Sequence, residues 1–148
     1  MKKGTIITIG GNLDLFPEEP ILKEFLKRAG ENVDGKPLIS IVPSASINPV
    51  RTGKKYSHLF KCTDSRTQII YPKNREEANS EKIVEKVLDS DAFFFTGGAQ
   101  LRITALLGGT STLEAIQKRF NEGGLIGGTS SGAVCVTRTM IEYGKSKV

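Results

Sequence analysis

A Gly-x-Ser-x-Gly motif spans residues 128–132, and Ser130 lies at its centre. An apolar run precedes the motif, and residues 132–142 after it are predicted to form a helix. A serine on a sharp turn between a strand and a helix is the arrangement of a nucleophile elbow, whose small neighbours let strand and helix pack closely. The start of the helix then offers backbone N–H groups, that of Ser131 first, to a developing oxyanion. The motif predicts acyl transfer by a serine nucleophile; the alternative is a Ser/Gly-rich turn without chemistry.

A second glycine-rich turn follows the most apolar run of the sequence, and its residues are Thr96-Gly97-Gly98-Ala99-Gln100. Glycine lets backbone approach a substrate closely, so the amide of Gly98 is a candidate for the second oxyanion donor. The side chain of Gln100 is a candidate for hydrogen bonding to substrate amides. The alternative is an ordinary strand-to-helix turn in which Gln100 begins the helix.

Two further turns lie after the first two predicted strands. The turn at Gly10-Gly11 lacks the Gly-x-Gly-x-x-Gly spacing, and no acidic residue ends the second strand, which argues against a dinucleotide site. The stretch Pro43-Ser44-Ala45-Ser46 is a candidate lining of the same crevice as the serine, or simply a turn.

The elements that must position these turns alternate along the chain. Apolar, β-branched runs predict strands at residues 5–9, 38–42, 68–71, 92–96 and 125–127. Helical spacing of apolar residues predicts helices at 18–29 with Gly30 as C-cap, within 51–61, from a cap at Asn79 or Ser80, and at 100–107, 112–121 and 132–142. The alternation predicts an α/β fold: a three-layer, mostly parallel sheet with helices on both faces, whose ligands bind beyond the carboxyl ends of the strands.

Composition limits the class of protein. The 148 residues are enough for a single domain spanning 1–148, and no stretch is long and apolar enough to cross a bilayer. The net charge of +5 is spread along the chain without tryptophan, which disfavours nucleic-acid binding. Cys62 and Cys135 form no Cys-x-x-Cys pair, and the single histidine, His58, cannot complete a zinc set. We expect no metal, and reduced, buried thiols in a cytoplasmic protein.

Taken together, residues 94–104 and 127–133 resemble cyanophycinase, a serine peptidase family that also includes dipeptidase E. The turns after the first two strands fit the same family, so the resemblance covers essentially the whole chain. It implies a fold like that of the class I glutamine amidotransferases, a homodimer, and no metal or organic cofactor. It also implies a serine exopeptidase that hydrolyses cyanophycin (multi-L-arginyl-poly-L-aspartate) to β-aspartyl-arginine dipeptides. Ser130 matches the family's nucleophile, Gly98 and Ser131 its oxyanion-hole amides, and Gln100 a substrate-contacting glutamine.

The chain departs from the family pattern in three ways. Ala99 stands where the family usually has Asp, which can alter substrate contacts near Gln100, and Ser131 stands where it usually has Ala. The latter is a small-for-small exchange that keeps the backbone donor. Family members also continue well past residue 148, and their base histidine and its acidic partner lie in that further part. The expectation is therefore a C-terminally incomplete domain, nearly inactive and marginally stable alone; His58 has no counterpart in the family's machinery. The alternatives are a dipeptidase-E-like enzyme acting on α-aspartyl peptides and a non-catalytic truncated remnant.

Overall fold

The computed structural model describes residues 4–11, 19–31 and 33–141. Its strands are β1 (Thr5–Ile9), β2 (Leu38–Val42), β3 (Arg66–Ile69), β4 (Ala92–Phe95) and β5 (Leu125–Thr129). Its helices are α1 (Pro20–Gly30), α2 (Pro49–Lys61), α3 (Glu81–Leu88), α4 (Gln100–Leu107), α5 (Ser111–Asn121) and α6 (Ser131–Val134), with a short 3-10 turn at Glu77–Asn79.

The five strands form one sheet in the order β1-β5-β4-β2-β3, and every pairing is parallel. The register sets Ile9 opposite Thr129, Phe95 opposite Gly128 and Val42 opposite Phe95. Because these residues end their strands or lie next to the end, the loops that follow β1, β5, β4 and β2 meet at one edge. The predicted parallel sheet is confirmed, and the glycine-rich turns lie together at its carboxyl edge.

Helices cover both faces of the sheet, as the sequence predicts. On one face Phe25 of α1 and Phe60 of α2 pack on Phe94, with ring centroids 5.2 Å apart in both pairs. On the other face the cluster around Phe93 and Phe95 is covered by apolar residues of α3, α4 and α5. Successive phenylalanines of β4 therefore anchor opposite layers, because side chains alternate across a strand.

Several element boundaries differ from expectation; β5, for example, continues two residues beyond the predicted 125–127. β3 lies two residues earlier than predicted, because pairing with β2, Leu38 opposite Arg66, sets its limits. α1 includes Gly30, and Glu31 caps it in the right-handed region, so the predicted glycine cap is wrong. The helix predicted at 132–142 is four residues long, Ser131–Val134. Beyond it the hydroxyl of Thr137 donates to the carbonyl of Val134, a local bond that competes with helix continuation.

Two other sequence expectations concern burial. Neither cysteine is in a disulfide, yet Cys62 is exposed and Cys135 is half-buried, so the prediction of two buried thiols is wrong. Tyr56 and Phe60 of α2, the helix that Cys62 caps, are buried instead, since they face the sheet. Within the described ranges, no helix has the length and apolarity that a bilayer crossing needs.

Candidate active site

Ser130 occupies a strained backbone position between β5 and α6. Its φ of 53° and ψ of −121° lie in a region that residues with a side chain rarely adopt. The surrounding structure holds this conformation from both sides: the Ser130 N–H donates to the carbonyl of Ile9 at 2.9 Å, and its carbonyl accepts the N–H of Ala133 at 2.9 Å. The residue itself is exposed. The backbone is therefore fixed while the side chain faces outward.

The two glycines of the motif are required by close packing. A Cβ atom on Gly128 would overlap the carbonyl of Gly132, and a Cβ atom on Gly132 would overlap the carbonyl of Phe95. The segment that follows β5 thus passes the end of β4 with backbone packed against backbone. Side chains at the two glycine positions would prevent this packing, which is the steric requirement that the sequence motif suggests.

The side chain of Ser130 lies between the turns that follow β1 and β4. A Cβ atom built on Gly11 would be 3.6 Å from the Cβ of Ser130, and one built on Gly97 would be 3.3 Å from it. Both glycines therefore keep the space beside the hydroxyl free of side chains. The exposed Oγ of Ser130 has no hydrogen-bond partner among the described residues.

Gly98 is held by contacts from two neighbouring loops. Its φ of 147° favours glycine, and a Cβ atom there would overlap the carbonyl of Ala45. The peptide group between Gly98 and Ala99 is hydrogen-bonded on both sides. The Ala99 N–H donates to the Ala45 carbonyl at 2.9 Å, and the Ser131 hydroxyl donates to the Gly98 carbonyl. Ala45 thus joins the turn after β2 to the Gly98 turn, and the lining role of residues 43–46 stays a prediction.

The side chain of Ser131 makes a contact that sequence reasoning missed. The exchange of alanine for serine looks neutral in sequence, because the backbone donor is retained. In the structure the hydroxyl of Ser131 joins α6 to the Gly98 turn. A buried hydroxyl, only 7% exposed, is a signal for such a bond, because buried polar groups require partners.

The backbone N–H groups of Gly98 and Ser131 are the candidate oxyanion donors. In the part of the chain that the structure describes, the amides of Gly98 and Ser131 donate to no protein acceptor. Ser131 is the first residue of α6, and first-turn N–H groups have no partner within a helix. Free amides on fixed turns beside an exposed hydroxyl are suited to binding an oxyanion.

Gln100 is at the start of α4, and its amide is already engaged. Its Nε2 donates to the carbonyl of Ile141 at 3.2 Å, and the residue is half-buried. Contact with a substrate through this side-chain N–H group requires exchange of that bond. The alternative of a glutamine that begins a helix is therefore also met.

The histidine is far from the serine. His58 is near the C-terminal end of α2, and its Nε2 is 4.0 Å from Sγ of Cys62. α2 begins near the carboxyl edge of the sheet and runs away from it. At a rise of about 1.5 Å per residue, His58 is about 13 Å along α2 from Pro49. This end of α2 leads to the amino end of β3, whereas Ser130 follows the carboxyl end of β5.

Cys135 is the other nucleophilic side chain near the elbow. Its thiol donates to the carbonyl of Gly132 at 3.1 Å, and burial raises its pKa to about 12. At neutral pH it is protonated and unreactive. Ser130 is the better candidate nucleophile of the two.

The chain is similar in sequence to known peptidases. The model of peptidase family S51 matches residues 6–147. A cyanophycinase from Nostoc sp. is 34% identical over 146 residues, which is 97% of this chain and 48% of that protein. The chain therefore spans about half the length of this curated relative.

Solved structures give the same fold. A peptidase from an acI-B1 actinobacterium superposes with a TM-score of 0.76 at 22% identity, covering 89% of this chain and 56% of that one. A candidate peptidase E protein from Listeria monocytogenes gives 0.62 at 20% identity, covering 90% and 61%. At these identities the superpositions show the fold alone.

Proposed function

This chain belongs to peptidase family S51, and from that membership we propose that it carries the nucleophile and oxyanion hole of a cyanophycinase-like serine exopeptidase. The reaction is hydrolysis of cyanophycin to β-aspartyl-arginine dipeptides. The observation that carries the proposal is the positive φ of Ser130, an exposed serine held in a strained turn beside two free backbone amides.

Each residue has a role that follows from its position. The Oγ of Ser130 attacks the scissile carbonyl carbon, and the amides of Gly98 and Ser131 donate to the oxygen that becomes negative. Loss of the leaving amine gives an acyl-enzyme, which water then hydrolyses to release the product and restore the hydroxyl. Gln100 contacts substrate amides once its bond to Ile141 is exchanged.

Proton transfer needs a base that the described residues do not place beside Ser130. A serine hydroxyl without a base is a weak nucleophile, and loss of the base in a triad costs several orders of magnitude in rate. We propose that the base and its acidic partner come from polypeptide outside these 148 residues. The 148 residues alone are then expected to react slowly, and added imidazole, a diffusible base, is expected to accelerate the reaction.

Labelling with a fluorophosphonate tests the nucleophile. We expect mass spectrometry to locate the phosphonate on Ser130, imidazole to increase the labelling rate, and Ser130→Ala to abolish it. Ser111→Ala, a serine at the start of α5, is the matched control and should label normally. Modification elsewhere, or equal labelling of Ser130→Ala, would contradict the assignment.

Two alternatives are separated by related measurements. A dipeptidase-E-like enzyme, suggested by the fold of the Listeria protein, would cleave α-aspartyl dipeptides in preference to cyanophycin in a substrate panel. A non-catalytic remnant would show no labelling of Ser130 even with imidazole.

A further inference from the structure

A second cleft adjoins the candidate active site. It has a volume of about 510 Å³, and its polar lining consists of Ser44, Ser46, Tyr71, Asn74, Arg75 and Arg102. Ser44 and Ser46 follow β2, Tyr71 follows β3, and Arg102 is on α4. The cleft is therefore at the carboxyl edge of the parallel sheet, where ligands of such sheets bind.

The charge of this cleft is positive and uncompensated. Arg75 and Arg102 both line it, no acidic residue does, and neither guanidinium has a carboxylate within 4.0 Å in the described part of the chain. Each arginine is fixed by backbone oxygens instead. Nη1 of Arg75 donates to the carbonyls of Ala105 and Gly108 at 3.0 and 2.8 Å, and Nη1 of Arg102 donates to the carbonyl of Ser46 at 3.1 Å.

This mode of fixation leaves a recognition edge on each guanidinium. An arginine has five N–H donors, and only those on Nη1 bond to the described residues. The remaining donors on Nε and Nη2 form the fork that matches two oxygens of a carboxylate. Since carbonyl partners do not neutralise charge, an anionic ligand gains attraction that no protein carboxylate competes for.

An unsatisfied hydroxyl at the cleft supports the same conclusion. Ser44 is 4% exposed, and its Oγ has no hydrogen-bond partner among the described residues. Ser46, two residues on, has one: its Oγ is 2.7 Å from Oγ1 of Thr52. A buried polar group without a partner destabilises the free protein, and a ligand acceptor that reaches Ser44 from the cleft would satisfy it.

The backbone at Ala45 lies between the cleft and the candidate oxyanion hole. Ala45 lies between the two serines of the cleft, and its carbonyl accepts the N–H of Ala99 and contacts Gly98. The backbone of residues 44–46 thus lies between a ligand in the cleft and the Gly98 turn.

We propose that this cleft binds a free carboxylate of the peptide substrate, held by Arg102 and Arg75 with the hydroxyl of Ser44. The assignment to the substrate rests on the proposed function, because the product β-aspartyl-arginine keeps the α-carboxylate of its arginine. The cleft then selects peptides with a carboxylate near the scissile bond, and it explains why a basic chain accepts a substrate rich in arginine.

Binding can be measured without hydrolysis, so failure of the site and failure of the proposed function are distinguishable. The 15N-labelled chain of 148 residues would be titrated with β-aspartyl-arginine, with its C-terminal amide, and with inorganic phosphate. We expect saturable amide shifts at residues 44–46 and 102 with a Kd near or below about 1 mM. Amidation should weaken binding at least about tenfold, as expected for loss of a charge-assisted hydrogen bond.

Three variants separate a binding role from a structural one. Arg102→Gln should weaken binding at least about tenfold, and Arg138→Gln, an exposed arginine beyond α6, should leave it unchanged. Ser44→Ala should weaken binding and raise the thermal midpoint of the free chain, since it removes a buried hydroxyl without a partner. A serine with a merely structural role would lower the midpoint.

Several results would overturn the proposal. These are the absence of saturable shifts at residues 44–46, equal binding of the dipeptide and its amide, tighter binding of phosphate than of the dipeptide, and unchanged affinity in both Arg102→Gln and Ser44→Ala. If the carboxylate binds but Ser130 does not label, the cleft is a binding site and the hydrolase assignment fails by itself.

Discussion

The backbone strain at Ser130 predicts an inverted effect of glycine on stability. In the middle of a helix or strand, glycine destabilises a protein by about 0.5–1 kcal/mol relative to alanine, because the unfolded chain gains conformational freedom. At residue 130 the φ of 53° and ψ of −121° are close to the mirror image of an extended conformation, which glycine adopts readily. Ser130→Gly should relieve the strain, whereas Ser130→Ala keeps a Cβ atom and the strain with it.

The stability difference between Ser130→Gly and Ser130→Ala follows from two opposing quantities, the backbone strain at residue 130 and the conformational entropy of glycine. A residue in such a region costs about 1–3 kcal/mol, and the glycine entropy offsets about 0.5–1 kcal/mol of that relief. The net difference is about 1 kcal/mol in favour of Ser130→Gly. For a chain of this length that corresponds to a thermal midpoint about 3 °C higher than that of Ser130→Ala.

Thermal unfolding followed by circular dichroism measures this difference directly. Ser111, the first residue of α5, provides the control pair, because its conformation is helical and glycine there should melt below alanine. The two sites should therefore give opposite signs. If Ser130→Gly melts at or below Ser130→Ala, the elbow stores no strain and the physical basis of the nucleophile assignment is lost.

Three further predictions use other parts of the structure. Gly98→Ala should destabilise the chain by at least about 2 kcal/mol more than Gly109→Ala in urea unfolding, since both have positive φ but only the Gly98 Cβ meets backbone; equal losses would contradict this. Iodoacetamide at about pH 8 should alkylate the exposed Cys62 and spare Cys135, whose pKa burial raises to about 12, and peptide mapping would reveal a reversed preference. Burial raises the pKa of Tyr56 from 10.0 to about 12, so the contribution of this phenol to stability is complete below pH 10.0 and is lost as the pH rises through about 12. Tyr56→Phe should therefore lose less stability than the unaltered chain over this range. An unchanged slope of unfolding free energy against pH would refute the assignment.

Prediction of the elements succeeded where the pattern is local. Thr5–Ile9 and Leu38–Val42 are apolar runs bounded by glycine or proline, and both strands have the predicted limits. The limits of β3 depend on pairing with Leu38, and the end of α6 depends on a hydroxyl bond of Thr137. Neither contact has a signature in the linear pattern, so both boundaries were misplaced.

The tight turn at Ser130 was predictable from the sequence, whereas the side-chain contacts around it were not; the roles of the site residues stay predictions. The spacing of glycines around Ser130 indicates a tight turn, and that turn is present. The bond from Ser131 to Gly98, the engagement of Gln100 by Ile141, and the cleft around Arg102 join residues from separate loops. The identity of a residue does not reveal which distant carbonyl it faces.

The sequence by itself determined the alternation of strands and helices and the parallel sheet, because apolar periodicity and glycine placement encode local conformation; the family was indicated by the resemblance of residues 94–104 and 127–133 to known members. The tertiary structure decided which loops meet. The strand order brings the turns after β1, β4 and β5 around one serine, and it leaves His58 near the opposite edge. Positions along a chain fix distances only over a few residues, whereas the distance between the ends of two strands is set by the order in which the sheet assembles them.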